Sequence, residues 1–369
     1  MKRIFLSMQK LWILSVMCLF ATGLSAQNVS KYLKDCEINK DNHKYGIVFR
    51  GKQLVTPAYE EIIPLTDYVF RIKENGKYGL LNVGFMEGDN WGGGRSRLLA
   101  MEKIEGSRYY IYFYVSETCI YDRIELYDNR FLMAYKGDSK GLMDKYGNNL
   151  IPCKYNEITR KGDVCYVSRG NQQGIFNRYG KVIIPCQYVE ILRKGDVYYV
   201  WDGNKYGVIN KYGNKIVSPV YSNIEKKGES YWVYNGDKQG IINRFGNVIV
   251  PCRYSEILTE EGMYRVCLDS EYGIINKFGN VIIPCQYDEV AKIKDNYCVK
   301  KAGLYGIYNR YGNRLLSCTF DSINFLRDGK FLAVKDGKQQ LYDKFGNLLS
   351  DYSEGSVYYS TSDGVRGIE

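Results

Sequence analysis

A single glycine returns at Gly141, Gly174, Gly207, Gly240, Gly273 and Gly306, and every step is 33 residues. Around it whole phrases recur: KQGIINRFGNVIVPCRYSEI at 238–257 comes back as EYGIINKFGNVIIPCQYDEV at 271–290. A unit whose length never varies must fit the units on either side of it. Strict repetition therefore overrides the two-domain expectation that length alone would otherwise raise. Gly46 and Gly79 are also 33 apart, whereas Gly79 to Gly141 is 62, so 29 extra residues sit in the second unit, mainly between Asn82 and Tyr121. Gln340 takes the glycine's place in a worn last copy.

Within the copy around Gly273, YGIIN reads as one β-strand and NVIIPC as a second, joined through KFG, where glycine tolerates the positive φ of a tight reversal. Pro284 has no backbone donor and is expected to stop an ordinary central ladder, with YDEVAKI restarting as an extended or irregular segment and NYCVKKAG as a final strand. Three or four strands of about 5 residues fit such a unit. They are too short to bury both faces alone, so each unit must pack on the next. Ile175, Val208, Ile241, Ile274 and Ile307 then form an apolar spine at equivalent places.

The fold expected is all-β, an open curved array of stacked 33-residue hairpin-type repeats, with a closed β-propeller as the alternative. A propeller blade usually has four strands and about 40 residues or more, which favours the open array. The expected organisation is a signal peptide at 1–26, a flank at 27–43, the array at 44–350 with its insertion at about 83–120, and a tail at 351–369. The insertion carries EGDNWGGGRSR, a glycine-rich loop signal, followed by RYYIYFYV.

Lys2, Arg3 and Lys10 flank the apolar run LWILSVMCLFATGLSA, which ends in small residues before Gln27. A positive start, a short apolar run and a small residue at its end predict export with cleavage near Ala26, and no second apolar segment follows as a membrane span. Met17 before Cys18 argues against a lipoprotein signal. The net charge of +10 drops to +7 without Lys2, Arg3 and Lys10, and no concentrated basic tract marks a nucleic-acid binder.

The unit resembles the WG repeat, or KWG, a tandem β-rich module of exported bacterial proteins. KYGVINKYGNKIVSPVYSNI at 205–224 follows its pattern: Lys, an aromatic and Gly, an apolar pair, Asn, a Gly turn, an apolar strand, then Pro and Tyr. The resemblance runs from Lys44 to about Ser350. Tyrosine or glutamine replaces the tryptophan that names the family, and the literal Trp91-Gly92 lies in the insertion instead. Membership implies a β-repeat array and carries over no catalytic residue.

Candidates for chemistry are few. Cys153, Cys186, Cys252, Cys285 and Cys318 share one place in their units. Two cysteines bridge only when their Cα atoms lie within about 7 Å, so small buried thiols are expected there, with pairing through Cys165, Cys267 or Cys298 left open. No cysteine spacing suits zinc, and no cofactor is expected. His43 is the only histidine, with no partner motif for a triad. Glu157, Glu190, Glu256 and Glu289 recur, which suits a structural stripe better than a catalytic pair needed once.

Two repeated series are candidate binding features. Lys145, Arg178, Lys211, Arg244, Lys277, Arg310 and Lys344 each precede a turn aromatic and its Gly, predicting a basic ridge that either solvates the turns or holds a partner by many weak contacts. Tyr155, Tyr188, Tyr221, Tyr254 and Tyr287 read as core packing or, alternatively, as a tyrosine-lined groove. The expected function is a non-catalytic, exported scaffold in the periplasm or on the cell surface that binds an envelope protein. The alternatives are a cell-wall glycan or peptidoglycan binder and an enzyme with its site in the insertion.

Overall fold

The computed structural model describes residues 34–88, 97–326 and 328–352. The expected signal segment, Trp91, most of the glycine-rich loop and the tail beyond Tyr352 lie outside these residues. Two compact units divide the chain, one ending at Ile191 and the other beginning at Leu192.

The described residues form nine small antiparallel sheets in chain order, and none of them closes on itself into a barrel. Seven have four strands, in simple sequential order. In the second unit the seventh sheet is representative, with strands Glu256–Glu260, Met263–Leu268, Glu271–Asn276 and Val281–Tyr287. The phase differs from the sequence reading: YGIIN lies in a third strand, and NVIIPC begins a fourth. Glu289–Ile293, expected as an extended or irregular segment, is the regular first strand of the following sheet. Four strands of five to seven residues thus fit a 33-residue period.

Pro284 does not stop its strand, which continues to Tyr287. The reason is position. The fourth strand is the outer strand of its sheet, and it bulges at the proline. Tyr272 pairs with Tyr287 and Ile274 with Ile283, so Gly273 alone faces Pro284, Cys285 and Gln286. No ladder bond is required of the proline nitrogen at a bulge on an edge. A Cβ on Gly273 would lie 2.6 Å from the Ile283 carbonyl oxygen and 2.8 Å from the Cys285 nitrogen. The repeated glycine exists because the bulged backbone packs onto its Cα. In the ninth sheet Gln339 pairs with Tyr352, Gln340 with Asp351 and Leu341 with Ser350, without a bulge, and the glycine is no longer needed.

The apolar doublets follow from stacking. Ile274 packs with Ile283, Tyr287, Val290, Tyr297 and Val299, between the seventh and eighth sheets. Ile275 points the other way, into Ile241, Val250, Tyr254, Ile257 and Val266, between the sixth and seventh. Successive strand residues face opposite sides, so a sheet covered on both faces needs two adjacent apolar residues where a half-solvated sheet would alternate. All five members of the expected spine are buried.

At several junctions one polar residue joins a sheet to the next and also braces it. Asp288 donates its backbone N–H to the Lys300 carbonyl at 2.9 Å, and its Oδ2 accepts from the Ala302 N–H at 2.7 Å. Asn156, Ser222 and Asp321 repeat this clamp on their own hairpins.

In the first unit the insertion is structural. It lengthens the strand Lys77–Glu87, adds Arg97–Lys103 and extends Tyr109–Tyr121, giving a five-stranded sheet. Val83, Phe85, Ile104, Ile111 and Phe113 from it pack with Ile47, Phe49 and Leu54 of the three-stranded first sheet.

Candidate interaction surface

Between the third and fourth strands of each four-stranded sheet lies a turn built by one side chain. Asn276 Oδ1 accepts from the Phe278 N–H at 2.9 Å and the Asn280 N–H at 3.0 Å, an Asx turn that reverses the chain within four residues. Gly279 completes it at φ +92°, where a Cβ would also come within 3.0 Å of the Ile249 carbonyl of the preceding sheet. The turns of Gly180, Gly246, Gly312 and Gly346 likewise rest on the strand leaving the previous turn. Asn177, Asn210, Asn243 and Asn309 build the same turn, and Asp144 and Asp343 substitute a carboxylate.

This geometry forces the two residues before the glycine outward. Tyr179, Tyr212, Phe245, Phe278, Tyr311 and Phe345 are 67% to 73% exposed, an unusual state for rings that could bury 150–250 Å² each. Tyr146 is less exposed because its ring meets Tyr68 at 4.9 Å. Every predicted cation, Lys145, Arg178, Lys211, Arg244, Lys277, Arg310 and Lys344, lies over its neighbouring turn aromatic, 4.7 to 5.4 Å from the ring centroid. Val182, Val248, Val281 and Leu348, three residues beyond the ring, are about half exposed.

The row is less basic than its sequence suggests. Arg178 pairs with Asp163 at 3.5 Å, Lys211 with Asp196 at 3.3 Å, Arg244 with Glu229 at 2.9 Å and Arg310 with Asp295 at 3.5 Å. Each carboxylate stands fifteen residues back, in the hairpin between the first and second strands. Asp196 holds the Lys211 ammonium above its usual pKa by a hydrogen bond. Exposed pairs of this kind add little stability, but at four of the seven places they put an ion pair beside the ring where the sequence showed a bare cation.

The other predicted aromatic series lies inside. Tyr155, Tyr188, Tyr254 and Tyr287 are buried and Tyr221 is half-buried, so their rings form core. Tyr155 meets Phe176 edge-on at 5.7 Å, and the Tyr287 hydroxyl shares a 2.7 Å hydrogen bond with that of Tyr308. Burial pushes the Tyr287 phenol up to about 12. The exposed rings are the turn aromatics, which the sequence reading used only as landmarks. Their signal was present: an aromatic between a cation and a glycine in a turn has nothing to bury against.

The repeated thiols fill the bulge. Cys153 donates to the Ser139 carbonyl at 3.2 Å, Cys186 to Gln172 at 3.3 Å and Cys252 to Lys238 at 3.4 Å, and these thiols are half-buried and unbridged. Cys165, Cys267 and Cys298, whose pairing the sequence left open, are buried free thiols. Burial raises Cys285 and Cys298 from 9.0 to about 11, so both are neutral at pH 7 and poor nucleophiles. Between pH 9 and about 11 unfolded thiols ionise while these two stay protonated. Their contribution to stability is present below pH 9 and is lost as pH rises through 11. Thiol labelling of the folded protein at pH 8 is expected to leave Cys298 unmodified until denaturant is added.

His43 sits exposed in the turn before Lys44–Phe49, at φ +64°. A cleft of about 210 Å³ lined by Arg253, Tyr254, Leu268, Val281 and Cys285 is smaller than the roughly 300 Å³ at which small-molecule sites begin. Among the described residues no His, Cys, Asp and Glu group has a metal-binding arrangement, and no helix is long and apolar enough to cross a membrane.

The family model for the WG containing repeat matches at residues 240–272, 272–303 and 305–338. No curated protein matches the chain. Among solved structures, PorZ, a surface component of the type-IX secretion system of Porphyromonas gingivalis, aligns at 10% identity and a TM-score of 0.20 over 80% of this chain. The chain covers 45% of PorZ. Hsv2p of Kluyveromyces lactis aligns at 9% identity and 0.20, over 60% of this chain and 93% of that one. The extracellular domain of BT4673 from B. thetaiotaomicron aligns at 10% and 0.19, over 86% and 60%. These overlaps are too slight to carry an argument, and the repeat match is the informative finding. Residues 240–338 thus carry three WG containing repeats in tandem, and the same 33-residue spacing reaches back to Gly141.

Proposed function

We propose that this chain is an exported, non-catalytic repeat scaffold of the cell envelope that holds a protein partner along its row of turns. The observation that carries the reading is the repeated turn aromatic, more than two-thirds exposed in successive sheets although its ring gains most by burial. The N-terminal segment supports export. Repetition supports binding by several weak contacts at once, so that affinity grows with the number of turns engaged. Cell-wall glycan is the second reading, favoured by the same rings, whose exposed faces suit the C–H faces of sugars.

The test compares residues 27–369 with a variant carrying Tyr212→Ser, Phe245→Ser, Phe278→Ser and Tyr311→Ser. Both are used to capture partners from cross-linked envelope extract and are sedimented with purified cell-wall sacculi. A stoichiometric protein captured by the parent and lost from the variant is the expected result. Ring-dependent pelleting with sacculi, and no protein, would replace the scaffold reading with the glycan one. Equal capture by both proteins would remove the turns from the account.

A further inference from the structure

Along the turns of the second unit the ion pairs are interrupted at one internal place. In the second unit Lys211, Arg244 and Arg310 each meet a carboxylate fifteen residues back, at Asp196, Glu229 and Asp295. The position that serves Lys277 is Gly262, and the adjacent Glu261 is taken by Lys292. Among the described residues no carboxylate pairs with Lys277, whose ammonium lies over Phe278 at 5.1 Å. Lys145 and Lys344 also lack such a pair, but Lys145 lies over the Tyr68 ring as well as its own Tyr146, and Lys344 stands in the last described sheet.

The surroundings of Lys277 are the most apolar part of the row. Phe278 and Val281 in its own turn, and Phe245 and Val248 in the preceding one, are 72%, 56%, 72% and 55% exposed. Both rings are phenylalanine, with no hydroxyl to hydrogen-bond to water, whereas Tyr212 and Tyr311 stand in the turns on either side. A lone cation among four exposed apolar side chains is the complement of a carboxylate flanked by apolar residues.

Resting on the scaffold reading, we infer that the turn of Lys277 is the anchor of the partner, taking an extended polypeptide segment with one Asp or Glu set between aliphatic or aromatic residues. The carboxylate completes the missing ion pair, and the flanking side chains cover Phe245, Val248, Phe278 and Val281. Neighbouring turns, already neutral by their own pairs, add contact without selecting charge.

A phage-displayed library of random short peptides, selected on residues 27–369, tests this directly. The expected outcome is enrichment of peptides with a single acidic residue between apolar ones. Their synthetic versions should lose about tenfold in affinity, ~1.4 kcal/mol, on Lys277→Glu. Exchanging the peptide's acid for lysine should restore binding to Lys277→Glu and abolish it on the parent. Lys277 is a solvent-facing turn residue, so an unchanged thermal midpoint separates lost contact from lost fold. Selected peptides without an acidic preference, no selection at all, or equal binding by Lys277→Glu would each overturn the anchor. Envelope capture that depends on the four rings but not on Lys277 would leave the scaffold reading standing while removing this inference.

Discussion

Gly273→Ala is expected to destabilise the protein by about 1–3 kcal/mol, the range of an overpacked core site, although it adds a single methyl group. The cost comes from the bulge. The new Cβ would meet the Ile283 carbonyl and the Cys285 nitrogen below 3 Å, and both are backbone atoms that cannot turn aside. Either the fourth strand moves off the third, or the three-against-one register at Pro284 is lost. Gln340→Ala provides the contrast. It stands at the equivalent place in the one sheet whose pairing is regular there, and its cost should stay within about 1 kcal/mol. Urea unfolding followed by tyrosine fluorescence measures both. Equal effects at the two sites would show that the bulge is not what requires the glycine.

The second large effect separates core from surface within one repeat. Ile274→Ala removes a side chain that is 1% exposed and surrounded by two sheets, and is expected to cost about 3 kcal/mol. Phe278→Ser, four residues later, removes a larger apolar group but should change stability by no more than about 0.5 kcal/mol. Its effect belongs to binding. In a stack where each sheet contacts only its neighbours, the Ile274 defect should also uncouple the seventh and eighth sheets, lowering the steepness of the urea transition as well as its midpoint. A stability loss at Phe278 as large as that at Ile274 would mean that the turn ring is buried in solution, and the interaction surface would have to be abandoned.

Much of the architecture was legible because it depends on local rules. The 33-residue period, the β-branched runs and the glycine turns announced an all-β tandem array, and the Ile274 spine is where the pattern placed it. Pro284 misled because a proline forbids a central strand but not an outer one, and which strand is outer depends on how a sheet is phased. The phase could not be read: YGIIN opens the repeated phrase yet forms the third strand of its sheet. The aromatic series stayed ambiguous for a related reason. Tyr287 and Phe278 are nine residues apart in one unit, with similar rings and similar expected burial. Only the stacking of the next sheet over the first and the Asx turn beneath the second send one inward and the other to solvent.

The basic row shows the same division at the level of charge. Its cations were evident from their spacing, but their partners were not, because Asp163, Asp196, Glu229 and Asp295 lie in another hairpin of the sheet, brought close only when four strands pair. By itself the sequence determined the period, the strand content and which residues fall in turns, since these follow from side-chain alternation and backbone preference within a few residues. The tertiary structure decided which strand is the edge, which rings are covered and which charges are cancelled. Those depend on what one sheet presents to the next, and on a bulge whose space only a glycine leaves open.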